Sequence, residues 1–346
     1  MLHRRGRQRH RRRAGRGVQE ALPHLQRAQG EPPGDVRPAR VRTAGMTTPR
    51  DACLVDARTA YAEGSRSVFV EVAPWRVMAR GPDPVTGSIP GARRTRVTPD
   101  FAGPPTATSG HLPLPGPAAV RDALAARGVG PADDIVLYTR RIEELSSATR
   151  AWFVLTWAGF RSVRVLDGAL PAWVRAGGPT APFRQAQARS TASGPAGDLV
   201  GAAAPDDSGR RVLSVTRVLD IARYGTLLDS RPAGAYNGSP DDPRTGHVPH
   251  AVHAHSAELI APDGLLRPPA ELRKWFLSHR AIGAHEVGAY CGGGVSSSLL
   301  VFVGALLGQQ VGLFVDSWSA WTRDASLPVE QGAAATRSAA VDTDCA

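Results

Sequence analysis

Val287-Gly288-Ala289-Tyr290-Cys291-Gly292-Gly293-Gly294-Val295-Ser296 is the stretch that decides the fold, and the apolar run Leu299 to Leu307 completes it. Val287 to Tyr290 reads as a short buried strand, the glycines as a tight turn and the run after Ser296 as a helix. A strand that ends on a cysteine and curls through glycines into a helix puts the sulfur where backbone N–H groups converge. Consecutive glycines accept φ of either sign, so successive amides can aim at one point. A thiolate or persulfide held there is stabilised by hydrogen bonds and by the positive end of the following helix. Both effects lower the thiol pKa from about 8.5. Taken alone, Cys291 also fits an inert buried cysteine beside an ordinary turn, because free cysteine is among the most buried residue types. The rest of the chain decides between the two.

Working outward, the same order of signals occurs twice. In the first half, the β-rich run Ser67 to Val72 is followed by Gly87-Ser88-Ile89-Pro90-Gly91-Ala92. A helix around Pro117 to Arg127, a strand Asp134 to Tyr138, a helix around Ser146 to Ala158, a strand Val163 to Asp167 and a short helix ending at Trp173 come next. In the second half, Leu227-Leu228-Asp229-Ser230-Arg231 is followed by Gly246-His247-Val248-Pro249-His250-Ala251. A helix from Pro269 to Ser278, the strand into Cys291, the helix after Ser296, a strand Val311 to Val315 and Ala320-Trp321 complete the copy. Strands alternating with helices imply parallel sheets covered on both faces. The pattern predicts an internally duplicated α/β chain, each half a small parallel β-sheet flanked by helices.

With these elements in place, the chain resembles two-domain rhodanese-family sulfurtransferases over roughly residues 51 to 327. The resemblance rests on Asp229-Ser230-Arg231, on Gly246-His247-Val248-Pro249, on the Cys-Gly-Gly-Gly-Val-Ser loop at 291 to 296 and on Ser317-Trp318-Ser319-Ala320-Trp321. Phe101-Ala102-Gly103-Pro104-Pro105 and His111-Leu112-Pro113-Leu114-Pro115 carry it in the first half. It implies two tandem rhodanese-like domains, a non-catalytic one at 51–177 and a catalytic one at 212–327, joined by a loose linker at 178–211. The first is expected to have lost its cysteine. Thr139 indeed follows Tyr138 where Cys291 follows Tyr290, and the first loop is longer and carries Arg140, Arg141, Glu143 and Glu144 in place of glycines.

The resemblance further implies double displacement. Cys291 attacks the outer sulfur of a donor, keeps it as a persulfide and passes it to a thiophilic acceptor such as cyanide or a thiol, or to a thioredoxin-like reductant. No metal or organic cofactor is required. The amides of Gly292, Gly293, Gly294, Val295 and Ser296 are the expected anion cradle, with Ser296 also placed to cap the helix. Asp229 and His247 are expected to support the loop. Thiosulfate-preferring members tend to carry basic residues directly after the cysteine, whereas mercaptopyruvate sulfurtransferases read Cys-Gly-x-Gly-Val and grip the substrate carboxylate with upstream arginines. Gly292 and Gly293 match the second kind, and arginine suits a carboxylate because its fork is bidentate. Arg231 matches the first of those arginines. The second is missing, since Ala235-Tyr236-Asn237-Gly238 stands where the family often reads Arg-Tyr/Phe-x-Gly, and Arg244 is the candidate substitute. Ser88 also stands where the first domain usually has histidine. 3-Mercaptopyruvate is the first expectation for the donor, thiosulfate the second.

Other chemistries fare less well. Phosphatases and arsenate reductases that share the family fold use a longer loop with an arginine, and no arginine follows Cys291 before Arg323. His247, His250, His253 and His255 crowd together, but no cysteine or carboxylate cluster stands beside them, so no metal site is expected. A non-enzymatic interaction or sulfur-relay module stays open at this point. Residues 1–50 form an arginine-rich head: twelve arginines against three acids before residue 46 give that segment +9 of the chain's net +11. The rest is nearly neutral, so neither nucleic acid nor membrane is an expected partner. The head and the tail at 328–346 are expected to be disordered by composition; a start of translation at Met46 is the first expectation for the head, a nucleic-acid tail or an organelle transit peptide the others. Three cysteines without paired spacing point to a reducing, cytoplasmic setting. Cys53 is read as preceding the first ordered element and Cys345 as a free thiol in the tail.

Overall fold

Mostly apolar strand runs, the edge strand Arg93–Arg96 excepted, flanked by amphipathic and apolar helices give two parallel sheets, one in each half of the chain. The computed structural model describes residues 49–76, 83, 85–183, 212–283 and 285–332. The arginine-rich head up to residue 48, the central part of the expected linker and the tail beyond 332, with Cys345, lie outside the described residues.

The first half runs α1 (Pro49–Cys53), β1 (Leu54–Val55), α2 (Ala57–Glu63), β2 (Val68–Ala73), β3 (Arg93–Arg96), α3 (Val97–Asp100), α4 (Pro117–Ala125), β4 (Asp134–Tyr138), α5 (Leu145–Trp157), β5 (Ser162–Leu166) and α6 (Ala169–Arg175). Its sheet has the order β1-β5-β4-β2-β3, all parallel. The second half runs α7 (Val215–Tyr224), β6 (Thr226–Asp229), α8 (Ala233–Asn237), β7 (Val252–His253), α9 (Pro269–Ser278), β8 (Val287–Tyr290), α10 (Ser296–Leu306), β9 (Gly312–Leu313) and α11 (Ser317–Trp321). Its sheet has the order β7-β6-β8-β9, again all parallel. Local chemistry sets the helix starts. Asp56 accepts the Arg58 and Thr59 amides ahead of α2 and Ser214 accepts that of Arg217 in α7, while α4 and α9 begin on proline, which has no N–H to leave unpaired.

The halves meet through α5 and α10. Both helices are apolar nearly all round, as expected for helices covered on every side, and they pack on one another. Trp152 sits edge-on to Phe302 with centroids 5.0 Å apart, and Thr149 Oγ1 lies 3.0 Å from Ser298 Oγ. The contact is reciprocal about a pseudo-two-fold. Asp167, at the end of β5, accepts the Leu266 amide of the other half at 2.9 Å, and its counterpart Asp316 accepts the Gly110 amide at 2.9 Å.

Three expectations about boundaries are corrected. The first residues of the expected linker belong to the first half: Trp173 Nε1 donates to the Pro179 carbonyl at 2.9 Å, and Ala181 forms an antiparallel bridge with Ser88. The start of the expected tail likewise belongs to the second half, where Trp321 Nε1 donates to the Pro328 carbonyl at 2.9 Å and Glu330 exchanges backbone hydrogen bonds with His247. In each half an indole N–H needs an acceptor once buried, and the segment after the last helix supplies it while closing over the loop beyond the carboxylate-bearing strand. Cys53, read as lying before the first element, ends α1.

Candidate active site

β8 delivers Cys291 to the floor of a loop with its side chain 2% exposed. The Cys291 carbonyl accepts the Trp318 amide and the Gly292 carbonyl the Ser319 amide, each at 2.9 Å, so both carbonyls are bound to the start of α11 and turned away from the sulfur. The amides face the other way. Gly294 N–H donates to Sγ at 3.0 Å. Gly294 has φ +77°, and a Cβ there would collide with the Val315 carbonyl oxygen, so this glycine is obligatory. Gly292 and Gly293 have no positive φ; a Cβ at Gly292 would meet open space and one at Gly293 only ordinary contact with Leu112 and His111.

Burial pushes the Cys291 thiol up, and hydrogen bonding outweighs it. The hydroxyls of Ser296 and Ser297 and the amides of Ser297 and Gly293 bring the thiol below its ordinary value. Ser297 Oγ is fully buried without a formed hydrogen bond among the described residues, close enough to the sulfur to help lower its pKa. The cap position of α10 is Val295, with no side-chain cap. The expectation that Ser296 caps the helix is thus corrected: Ser296 is its first residue, and its hydroxyl lies 3.0 Å from Ser230 Oγ and serves the sulfur.

Above the sulfur opens a cleft of about 790 Å³ lined by both halves. Cys291, Gly292, Gly293, Val295 and Ser296 form its floor, and Pro232, Trp318, Ser319, Thr322 and Arg323 one wall. The facing wall comes from the first half: Pro74, Trp75 and Arg76 after β2, His111 and Leu112, and Glu143 to Ser147 before and at the start of α5. Burial holds the Glu144 carboxyl above the usual carboxylate range. Beneath the loop lies Arg150 of α5, wholly buried, with Nη1 donating to the Gly294 carbonyl at 3.3 Å.

A glycine-curled cysteine loop between a parallel strand and a helix, present in one copy of a duplicated α/β unit, agrees with what the comparisons with known proteins find. The model of the rhodanese-like domain matches residues 43–176 and 215–324. A Mycobacterium tuberculosis protein provisionally named thiosulfate sulfurtransferase SseB is 33% identical over 250 residues, covering 72% of this chain and 84% of its own length. The 3-mercaptopyruvate sulfurtransferase of Escherichia coli K12 is 30% identical over 224 residues, covering 63% of this chain and 75% of that one. The chain belongs to the rhodanese family of sulfurtransferases. Its fold also matches the crystal structure of an anaerobic ergothioneine biosynthesis enzyme from Chlorobium limicola, with TM-score 0.64 and 20% identity, over 82% of this chain and 71% of that one. At that identity the likeness is one of fold.

In this rhodanese site the Gly293 and Gly294 amides reach the sulfur, while the two arginines expected to hold substrate are not among the residues that line the cleft. Arg231 donates from Nε and Nη2 to both oxygens of Asp229 at 2.5 to 3.0 Å and to the Gly246 carbonyl at 2.6 Å. Its guanidinium lies 4.4 Å from the centroid of Trp318, which covers it on the cleft side. Nε and Nη2 are thus committed to Asp229 and the Gly246 carbonyl, and Arg231 is not among the residues that line the cleft. Arg244 donates to the carbonyls of Leu327, Asp324, Thr322 and Trp321 and so closes the C-terminal end of α11. Asp229 supports the loop indirectly, through Arg231. His247 stacks on Tyr236 with centroids 3.8 Å apart, and its Nδ1 is hydrogen-bonded to the Tyr236 carbonyl at 2.9 Å. It braces residue 330, and its neighbour Val248 donates its amide to Tyr290 Oη at 3.0 Å. The four clustered histidines do not converge, and the described residues hold no group of three or more side chains that could bind a metal. No helix among the described residues is long and apolar enough to cross a membrane.

Sequence reasoning missed Arg150, Ser297 and the part played by Trp318. Arg150 had a visible signal: it is the one charge in the apolar helix pattern Leu145 to Trp157. Ser297 and Trp318 had none, because nothing in a Ser-Ser-Ser run or a paired Trp motif says which member turns inward.

Proposed function

We propose that the chain moves sulfane sulfur from 3-mercaptopyruvate to a thiophilic acceptor through a persulfide on Cys291. The observation that carries the reading is the Sγ of a buried cysteine receiving the Gly294 amide at the floor of an open cleft. The thiolate attacks the donor sulfur, the carbon–sulfur bond breaks, and its electron pair leaves on the pyruvate enolate, which takes a proton. The persulfide's outer sulfur is then attacked by cyanide or a thiol, and the electron pair of the S–S bond returns to Cys291. The anion changes by one sulfur atom between the half-reactions, and amides fixed before the reaction stabilise both forms without reorganising. Asp229, Arg231, Arg244 and His247 serve by holding the segments around the loop.

Glycines at 292 and 293 place no cation on the cleft side of the sulfur for a dianion. Arg76 lines the cleft and takes the role of gripping a carboxylate that Arg231 and Arg244 do not fill, while Arg323, also on the lining, has Nη1 bound to the Thr106 and Ser109 carbonyls. A second donor, thiosulfate, is favoured by the withdrawal of Arg231 and Arg244 from the cleft and by the name of the mycobacterial relative. In that case the S–S bond of thiosulfate breaks and sulfite leaves with the pair. The test is sulfur transfer to cyanide with both donors side by side, and with Cys291→Ser as control. A kcat/KM about tenfold or more higher for 3-mercaptopyruvate supports the first reading, and the reverse ratio selects thiosulfate. Turnover that survives in Cys291→Ser overturns both.

A further inference from the structure

We propose that Arg150, from the non-catalytic half, is a positioning residue of the sulfur site: its guanidinium fixes the Gly294 peptide and supplies the countercharge for the anion on Cys291. The proposal rests on the reading of Cys291 as the sulfur-carrying nucleophile.

Arg150 is 0% exposed, and each of its hydrogen bonds goes to a neutral carbonyl. Nε donates to Phe101 at 3.2 Å, Nη2 to Leu112 at 2.9 Å and Pro113 at 3.4 Å, and Nη1 to Gly294 at 3.3 Å. Three acceptors belong to its own half and hold the fork rigid. The fourth is on the catalytic loop. No carboxylate lies within ion-pair distance of it among the described residues. A buried guanidinium without an anion is costly, and carbonyl dipoles only partly offset that cost. The anions whose fields reach it are Cys291 and Asp316, and Asp316 is already bound to the Gly110 amide. Burial lowers Arg150 to about 10, so it stays cationic at neutral pH.

The bond to Gly294 also has a directional consequence. In a planar trans peptide the C=O and the next N–H point in opposite directions. Anchoring the Gly294 carbonyl toward α5 therefore turns the Val295 amide back toward the inside of the loop, alongside the Gly294 amide that already meets Sγ. The arrangement is one-sided. Counting from the paired Thr149 and Ser298, the residue that matches Arg150 in α10 is Leu299, which is buried and carries no charge. The half whose loop lacks a cysteine thus provides the cation for the half whose loop has one.

The test reads the thiol itself in the full chain. The pH dependence of Cys291 alkylation by iodoacetamide, followed on the Cys291 peptide by mass spectrometry so that Cys53 and Cys345 do not interfere, is compared for wild type, Arg150→Gln and Arg150→Lys. Other charged groups facing the sulfur are Arg76, His111, Glu143, Glu144 and Arg323 across the cleft, with Asp316 behind the loop. They are common to all three proteins, so the difference reports Arg150. Arg150→Gln is expected to raise the apparent pKa by about one unit or more, the effect of losing an opposite charge nearby. Arg150→Lys keeps the charge without the fork, so a smaller rise is expected together with about a tenfold loss in sulfur-transfer kcat. An inflection unchanged within about 0.2 unit in both variants, whatever their melting temperatures, overturns the proposal. If the glutamine variant does not fold, unchanged pKa and unchanged turnover in Arg150→Lys overturn it equally. Alkylation needs no sulfur donor. A pKa shift in a protein that turns over neither donor keeps Arg150's role and sinks the donor reading, while turnover in Cys291→Ser sinks the nucleophile assignment.

Discussion

The loops that follow β4 and β8 start alike and end differently. Tyr138 Oη receives the Ile89 amide and Tyr290 Oη the Val248 amide; Thr139 O receives Leu170 N–H and Cys291 O receives Trp318 N–H. Each half also ties a buried carboxylate to an arginine and to the carbonyl of the glycine in its Gly-x-x-Pro segment. In the second half the arginine is Arg231, two residues beyond Asp229, and it binds Asp229 and Gly246 O. In the first half it is Arg140, from the loop itself, which binds Glu71, Gly87 O and Val85 O. The knot is the same, but its arginine comes from a different strand. Where β6 supplies it, the loop after β8 is free to curl over a sulfur. Where the loop supplies it, the first residue after Thr139 is pulled away and no cradle forms. The two loops therefore differ in where the clamp's arginine resides as well as in the cysteine.

The harshest way to break the comparison is to move the cysteine. Cys291→Ser is expected to reduce sulfur transfer by about 10⁴-fold or more, since the nucleophile is gone. Thr139→Cys added to that variant is expected to restore nothing, because Thr139 is buried, its hydroxyl is bound to Arg141 O at 2.7 Å, and Arg140 is committed to the knot. Cyanide-dependent turnover from the double variant would show that the loop, not the knot, is what matters.

The two knots are also expected to differ in strength. Arg231→Ala leaves Asp229, 0% exposed, as an unpaired buried charge, which costs about 3–5 kcal/mol. Arg140→Ala leaves Glu71 with Arg94 at 3.0 Å and the exposed Asp83 with Arg141 at 3.5 Å, so about 1–2 kcal/mol is expected. Chemical denaturation of both variants checks the order. If Arg231 instead gripped substrate, its loss would raise the donor KM more than it lowers stability.

Much of this comparison is legible in the amino-acid sequence. β4, β8 and α9 fall within a residue of their sequence-based limits because apolar runs and proline starts are local signals. The helices α2 and α7 lie outside the strand-and-motif pattern repeated in the two halves, although Asp56 and Ser214 are good caps and the buried residues of α7 recur on one face. The cysteine and its glycine loop can be read from the chain because a curl of N–H groups is made by neighbours in sequence. The fate of Arg231 and Arg244 cannot, because whether a guanidinium turns to a cleft or to a carbonyl cage depends on segments far along the chain, Gly246 for one and Leu327 for the other. Arg150 belongs to the same class, 141 residues before the sulfur it serves.

The glycines sharpen the comparison at the level of single atoms. Gly294→Ala forces a non-glycine residue to φ +77° with its Cβ against Val315 O, so the cradle must deform. About a hundredfold loss in kcat/KM is expected, the scale of losing one anion-binding amide. Gly293→Ala meets nothing closer than Leu112 Cδ1 at 3.8 Å and is expected to stay within about two- to threefold of wild type. Equal losses from the two would mean that the cleft's openness, not the loop's geometry, limits the reaction.

The smallest expected effect lies where the halves carry Ser88 and His247 in equivalent places. Each exchanges backbone hydrogen bonds with the segment that closes its half, Ala181 or Glu330. Ser88 Oγ donates to Glu71 at 2.7 Å and does not titrate in the accessible range. His247 is buried against Tyr236, and burial lowers its pKa more than the Tyr236 carbonyl, Glu330 and Asp229 raise it, with Arg231 lowering it further. An unfolded histidine binds its proton near pH 6.5, roughly, whereas His247 in the fold resists it until lower pH. Between the two values the unfolded chain holds more protons, so stability is complete above the unfolded pKa and falls as pH drops through that window. Moving from pH 7.5 to 5.5 is expected to cost wild type about 1 kcal/mol more than His247→Gln, which cannot titrate. Amide exchange should place the loosening in residues 246–248 and 330, with Ser88 and Ala181 unaffected. If both closing segments loosen together, or if the glutamine variant is as acid-sensitive as wild type, the asymmetry lies elsewhere and His247 is as passive as the serine that matches it.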